Sequence, residues 1–264
     1  MDNRAIAFFD SGIGGLSCVQ AFKERLAGES LVYYGDTLHA PYGDREAAEL
    51  RDFAERIADF LTEQDIKMLV VACNTISSLH LGALRDRYPA LPVVGTVEPT
   101  AKYLAENCAG RSIGIIATRA TVASGTYPAQ LKRQGRTEKV YSLACPDFVP
   151  MIEAGVHEGP EAEAVVRRSM DDFVRSTGID VLVLGCTHFP FIQRTIQRLY
   201  PHLELIDPAE IMAAGAESIL TESGALAGPG VQFTERYYFS LVTETCCSAV
   251  GCVSNAQPME LKLY

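Results

Sequence analysis

Two short apolar runs far apart in the chain, Met68-Leu69-Val70-Val71-Ala72 and Val181-Leu182-Val183-Leu184-Gly185, each lead into a cysteine followed by small polar residues, Cys73-Asn74-Thr75 and Cys186-Thr187-His188. An aliphatic, β-branched run with no polar alternation predicts a strand covered on both faces, as in a parallel sheet between helices. Each thiol is then expected at the carboxyl end of a strand.

The two runs belong to a longer repeat. One pass reads residues 6–10, 31–34, the Cys73 strand, then 93–95 running into Glu98-Pro99. The other reads 113–118, 140–143, the Cys186 strand, then 203–206 running into Asp207-Pro208. The interval from cysteine to acid-proline pair is 25 residues in the first pass (73 to 98) and 21 in the second (186 to 207). Helical patterns lie between the strands. In residues 45–64, Leu50, Phe53, Ala54, Ile57, Phe60 and Leu61 share one face, and in residues 161–176 Val165, Val166, Met170, Phe173 and Val174 do the same. Alternating strand and helix implies parallel sheets with right-handed crossovers and a ligand site outside the carboxyl ends of the strands. The expected fold is therefore α/β, with two pseudo-symmetric lobes, each a mostly parallel sheet flanked by helices, and a site in the cleft between them. The lobes are read as residues 1–97 plus 208–264 and residues 98–207.

Composition narrows the function. The chain has 264 residues, 48% hydrophobic and 21% charged, enough for two globular lobes. Five apolar residues before Asp10 make neither a secretory segment nor a membrane span, so a cytoplasmic protein without membrane attachment is expected. A formal charge of -10 with no basic run argues against a nucleic-acid partner and favours a small-molecule substrate.

Eight cysteines in a chain without an export signal are expected to be reduced. No C-x-x-C occurs, Cys246-Cys247 and Cys252 have no histidine nearby, and no His or carboxylate cluster has ligand spacing, so no metal is expected. Cys18, Cys108, Cys145, Cys246, Cys247 and Cys252 read as small buried hydrophobes. Cys73 and Cys186 differ, because Asn74, Thr75, Ser77 and Ser78 follow one, and Thr187, His188 and Pro190 the other, which are residues that open helices. A helix N-terminus favours the thiolate and offers free N–H groups to an anion. The turn Asp10-Ser11-Gly12-Ile13-Gly14-Gly15 resembles a degenerate dinucleotide loop, but Ser17 stands where a third glycine is wanted and Asp10 would crowd a pyrophosphate. The other reading is that the glycines let backbone approach a small substrate while Asp10 serves as charge partner or base beside a thiol.

Taken together, Asp10-Ser11-Gly12, Pro41-Tyr42-Gly43, Cys73-Asn74-Thr75, Glu98-Pro99, Ala144-Cys145-Pro146 leading to Glu153-Ala154-Gly155, and Gly185-Cys186-Thr187-His188 resemble the motifs of the glutamate racemases, within the wider aspartate/glutamate racemase superfamily. The resemblance runs from Ile6 to about Phe239. It implies cofactor-independent interconversion of L- and D-glutamate, supplying D-glutamate for peptidoglycan, by an enzyme that often forms homodimers. It implies that Cys73 takes the proton from D-glutamate and Cys186 from L-glutamate, with Asp10 assisting Cys73, His188 assisting Cys186, and Glu153 beside the histidine. It also implies substrate contacts from Asp10, Ser11, Tyr42, Gly43, Asn74, Thr75, Thr118, Thr121, Thr187 and His188. No lysine has a pyridoxal-phosphate setting, so the protein itself must stabilise the carbanionic transition state.

His39 before Pro-Tyr-Gly, Phe189 for a common tyrosine, and Asp207-Pro208 for a frequent Asp-Ser depart from the family pattern. The segment after Phe239 matches nothing in it and is expected to carry an oligomer contact or to pack on the first lobe. Only nine residues precede Asp10, so the N-terminal extension of members activated by a cell-wall precursor is absent and no such activation is expected. Two other readings stay open: a related racemase acting on aspartate or another amino acid, and a non-catalytic clamp for an acidic ligand.

Overall fold

A computed structural model describes residues 1–135 and 139–263. Among the described residues, ten strands form two sheets. β1 (Ala5–Asp10), β2 (Leu31–Gly35), β3 (Ile66–Val71), β4 (Val93–Gly95), β9 (Glu235–Phe239) and β10 (Met259–Glu260) make one, in the order β10-β9-β2-β1-β3-β4. β5 (Ile113–Ala117), β6 (Val140–Ala144), β7 (Val181–Gly185) and β8 (Glu204–Ile206) make the other, in the order β6-β5-β7-β8. Every pairing is parallel. The runs β2-β1-β3-β4 and β6-β5-β7-β8 repeat one order, which is the spatial form of the duplication read in the sequence.

Alternate residues of a strand point to opposite faces, so a wholly apolar strand needs a core on each side. In β1, Ile6 and Phe8 join one cluster with Val19, Phe22, Met212 and Val250, while Ala7 and Phe9 join another with Leu50, Ile57 and Leu61. In β7, Leu182 and Leu184 pack on Val166 and Met170, and Val181 and Val183 on Leu104 and Leu131. Each of the larger side chains among these contributes about 1.5–3 kcal/mol when fully buried, so moving these strands by one residue would gain nothing on either face. The helices expected at 45–64 and 161–176 are Ala47–Thr62 and Pro160–Thr177.

The segment after Phe239 packs on the first sheet. Helix Glu244–Val253 inserts Cys246 and Val250 into the core beside helix Leu16–Arg25, and β10 extends the sheet beyond β9. Among the described residues no helix is long and apolar enough to cross a membrane.

Strand order also determines where a ligand can sit. From β1 the chain moves outward to β2, and β3 returns to the other side of β1; β5, β6 and β7 repeat this. Each sheet thus has a switch point, between β1 and β3 and between β5 and β7, where the strand ends diverge and leave a crevice. Asp10 and Cys73 flank the first crevice, and Thr118 and Cys186 the second.

Candidate active site

A cavity of about 50 Å³ lies where the two crevices meet. Its wall contains Ser11, Tyr42, Gly43, Cys73, Asn74 and Thr75 from the first sheet's strand ends, and Thr118, Glu153, Cys186, Thr187 and His188 from the second's. Both cysteines therefore open on the same space. Asp10 and Thr121 stand one layer behind this wall and brace it, Asp10 fully buried and Thr121 nearly so.

Cys73 caps a short helix, Asn74–Leu79, as the polar residues after it predict. Asp10 beside it accepts hydrogen bonds on Oδ2 from the backbone N–H groups of Gly12 (3.1 Å) and Gly15 (3.0 Å). Burial nevertheless holds its carboxyl above the usual range, against the lowering influence of His188 and of those donors. The expectation that the helix end would favour a Cys73 thiolate fails. Burial pushes the thiol up, the Asp10 carboxylate adds to this, and a backbone N–H of Ile76 and the Ser11 hydroxyl offset only part, leaving it at about 12. A helix of six residues cannot compensate complete desolvation next to a carboxylate.

Cys186 has different neighbours. No α-helix begins directly after it: Phe189–Ile192 forms a 3-10 turn whose cap is His188, and the α-helix starts at Gln193. The expected helix dipole is replaced by an imidazole. Cys186 Sγ lies 4.0 Å from His188 Nδ1, and His188 Nε2 lies 3.3 Å from Glu153 Oε1. Burial alone would discharge the imidazole, but Cys186, Glu153 and Asp10 outweigh it and raise His188 to about 10. At neutral pH an imidazolium faces the sulfur.

The halves lock together through small polar contacts around the cavity. Thr187 Oγ1 donates to Asp10 Oδ1 (3.2 Å), and Tyr127 Oη donates to Asn74 Oδ1 (2.8 Å). The hydroxyls of Thr75 and Thr118 are 3.0 Å apart, and Thr118 in turn reaches Thr121 at 3.0 Å. A Cβ on Gly14 would sit 2.5 Å from Thr187 Oγ1 and 2.8 Å from His188 Nδ1. The glycine-rich turn thus admits the Cys186 loop of the opposite half, where the sequence reading had it approach a substrate. A Cβ on Gly43 would likewise meet Thr118 Cβ at 2.9 Å. The 3-10 turn Tyr42–Asp44 is held from behind, where Tyr42 Oη donates to Asp36 Oδ2 (2.6 Å) and His39 Nδ1 lies 2.8 Å from Asp36 Oδ1.

Among the wall residues that can ionise, three were not read as site residues in the sequence. Cys145, set aside as a buried hydrophobe, is buried but also lines the cavity at the end of β6, with its thiol pushed up to about 12 by burial, Asp147 and Cys186. Its place in Ala144-Cys145-Pro146, at the end of a repeated strand, was the available signal. Asp44 and Arg119 also line the cavity, and no local pattern marks them. Phe189, one of the family departures, is buried against Phe148 with ring centroids 5.2 Å apart, and Asp207 caps helix Pro208–Glu222.

A profile of the Asp/Glu/Hydantoin racemase family matches residues 15–216. The chain belongs to this family. It is accordingly an isomerase, an amino-acid racemase by family. It is 40% identical to the glutamate racemase of Desulforudis audaxviator over 91% of this chain and 90% of that one. The structure of glutamate racemase from Francisella tularensis in complex with D-glutamate superposes with a TM-score of 0.92 at 31% identity, covering 100% of this chain and 99% of that one. The Thermus thermophilus glutamate racemase in complex with β-chloro-D-alanine gives 0.87 at 34% identity, again with 100% and 99% coverage.

Proposed function

We infer that the protein interconverts L- and D-glutamate without a cofactor, using Cys73 and Cys186 as base and acid on opposite faces of the α-carbon. The observation that carries this reading is the shared cavity: two thiols from equivalent strand ends of a duplicated fold border one small space. Inverting a stereocentre requires a proton to leave one face and another to arrive on the opposite face, and a duplicated site supplies one group to each. Cys186, beside the His188 imidazolium, takes the α-proton of L-glutamate, and the Cys73 thiol delivers its own proton from the other side. Cys73 is then the thiolate and Cys186 the thiol, the form that accepts D-glutamate. A thiol near 12 is a reluctant anion and, once deprotonated, a strong base, which suits proton abstraction from carbon. Asp10 assists Cys73, and His188, oriented by Glu153, assists Cys186.

Ser11, Asn74, Thr75, Thr118 and Thr187, with the backbone at Tyr42 and Gly43, are the donors available to the substrate's carboxylates. There they stabilise charge spreading from the α-carbon into the α-carboxylate. Thr121 acts through the Thr75 and Thr118 hydroxyls that it touches. The closing lobes are residues 1–97 with 208–264 and residues 98–207, a division that keeps all strands of each sheet in one lobe. The biological role that follows is supply of D-glutamate for peptidoglycan in the cytoplasm, by a homodimer as the resemblance implies. Deuterium wash-in at the α-carbon across a panel of amino acids tests the substrate. Exchange into glutamate with inversion supports the reading, and exchange into aspartate but not glutamate overturns it.

A further inference from the structure

Resting on the reading of the substrate as glutamate, we propose that Arg119 is the cation that recruits the substrate, held at the mouth of the cavity by Asp44 and transferred from Asp44 to a carboxylate of the incoming molecule. Arg119 is the only lysine or arginine among the described residues in the cavity's wall, whereas Asp44 and Glu153 line it and Asp10 lies directly behind. The only other cation in the wall, again among the described residues, is the buried His188, which faces Cys186 and Glu153 rather than the entrance. The chain as a whole carries a formal charge of -10. Glutamate brings two carboxylates and one ammonium, so it approaches an acidic protein through an acidic opening, where a cation at the entrance has the greatest effect on capture.

The position of Arg119 suits that task. It is the first residue of helix Arg119–Ser124, directly after Thr118, and Asp44 closes the turn Tyr42–Asp44, directly after Gly43. The pair, Arg119 Nη1 to Asp44 Oδ1 at 3.0 Å, therefore spans the two halves beside the Gly43 and Thr118 contact that narrows the mouth. Its side chains are 61% and 58% exposed. Exposed ion pairs are weak and screened, so Arg119 can exchange one carboxylate for another at little cost, and the bidentate guanidinium fits a carboxylate well. The same exchange removes a tie between the halves as substrate arrives.

A simple latch between the halves would use the same pair, and the two partners separate the alternatives. If Arg119 recruits substrate, Asp44 competes with it, and removing each partner must move KM in opposite directions. Steady-state racemisation of L-glutamate, followed by circular dichroism, should show KM raised about five- to tenfold in Arg119→Gln with a smaller fall in kcat, and partly restored in Arg119→Lys, which keeps the charge but not the bidentate fork. Asp44→Asn should lower KM roughly two- to threefold, since the competing carboxylate is gone. Raising salt from roughly 20 to 200 mM should increase KM of the wild type and leave that of Arg119→Gln nearly unchanged. Because both side chains are exposed, melting temperatures should stay close to wild type, and Arg119→Lys guards against a folding artefact. An increase in KM of similar size in Arg119→Gln and Asp44→Asn, or an unchanged KM in Arg119→Gln, overturns the assignment while wild-type turnover leaves the glutamate reading standing. Wild-type protein that leaves L-glutamate unaltered removes both.

Discussion

The ends of β3 and β7 occupy the same slot in two copies of one topology, yet their cysteines are prepared differently. Cys73 caps a true helix, stands beside a buried carboxylate, and has its thiol pushed up to about 12. Cys186 has a 3-10 turn after it and an imidazole at 4.0 Å, itself held by Glu153 at 3.3 Å. Backbone duplication places two sulfurs symmetrically, and the neighbouring side chains break the symmetry of charge. Burial and Asp10 hold the Cys73 thiol up, whereas Cys186 faces an imidazole that is itself raised to about 10.

The largest expected effect comes from deleting either sulfur. Cys73→Ala and Cys186→Ala should each lose racemisation by at least about 10³-fold, since on the proposed mechanism each removes one of two proton-transfer groups. The comparison sharpens in deuterated water. Cys73→Ala should still wash solvent deuterium into L-glutamate without inversion, through Cys186 alone, and Cys186→Ala should do so with D-glutamate. Wash-in of the opposite enantiomer by either variant reverses the assignment of faces.

Next in size is His188→Asn, with kcat/KM down about 100-fold. Because the two enantiomers are equally stable, kcat/KM must fall equally in both directions, so the asymmetry appears in isotope effects. The α-deuterium effect should grow more for L-glutamate than for D-glutamate. The same residue imposes a pH limit. A histidine raised from 6.5 to about 10 contributes stability that is fully present below pH 6.5 and lost as pH rises through about 10. Turnover that needs the imidazolium should therefore fall about tenfold per pH unit above that point. The excess stability of wild type over His188→Asn should shrink over the same interval in urea titrations.

Smaller effects test the packing between the halves. Gly14→Ala, whose Cβ would collide with Thr187 and His188, should cost about 1–3 kcal/mol in denaturant titrations and misplace the histidine. Gly12→Ala has nothing within 4 Å of the new Cβ and should stay within about 0.5 kcal/mol of wild type. Equal costs at the two positions would mean that the glycine turn does not carry the close approach.

Much of this was legible because parallel strands buried on both faces leave a distinctive record. β1, β3, β5 and β7 were expected within two residues of their ends, and the cysteines at strand termini followed from pattern alone. Of the tail, packing on the first lobe was one of the two expectations and is what the structure shows; its elements were not legible, since a two-residue strand such as β10 and a helix seated by Cys246 and Val250 depend on a surface built elsewhere in the chain. Nor was the state of Cys73, because helix capping is local and readable whereas desolvation is a property of the finished core. Gly14 and the pair of Arg119 and Asp44 carry meaning only once the halves face each other. A glycine read in isolation suggests loop or phosphate, and a surface arginine suggests nothing.

The most direct test is circular dichroism of L-glutamate with purified wild-type protein in deuterated water, with no cofactor added. The account predicts decay of the signal to zero, with one solvent deuteron at the α-carbon of each D-glutamate formed. An undiminished signal, or D-glutamate that retains its original α-hydrogen, would contradict proton exchange between two thiols.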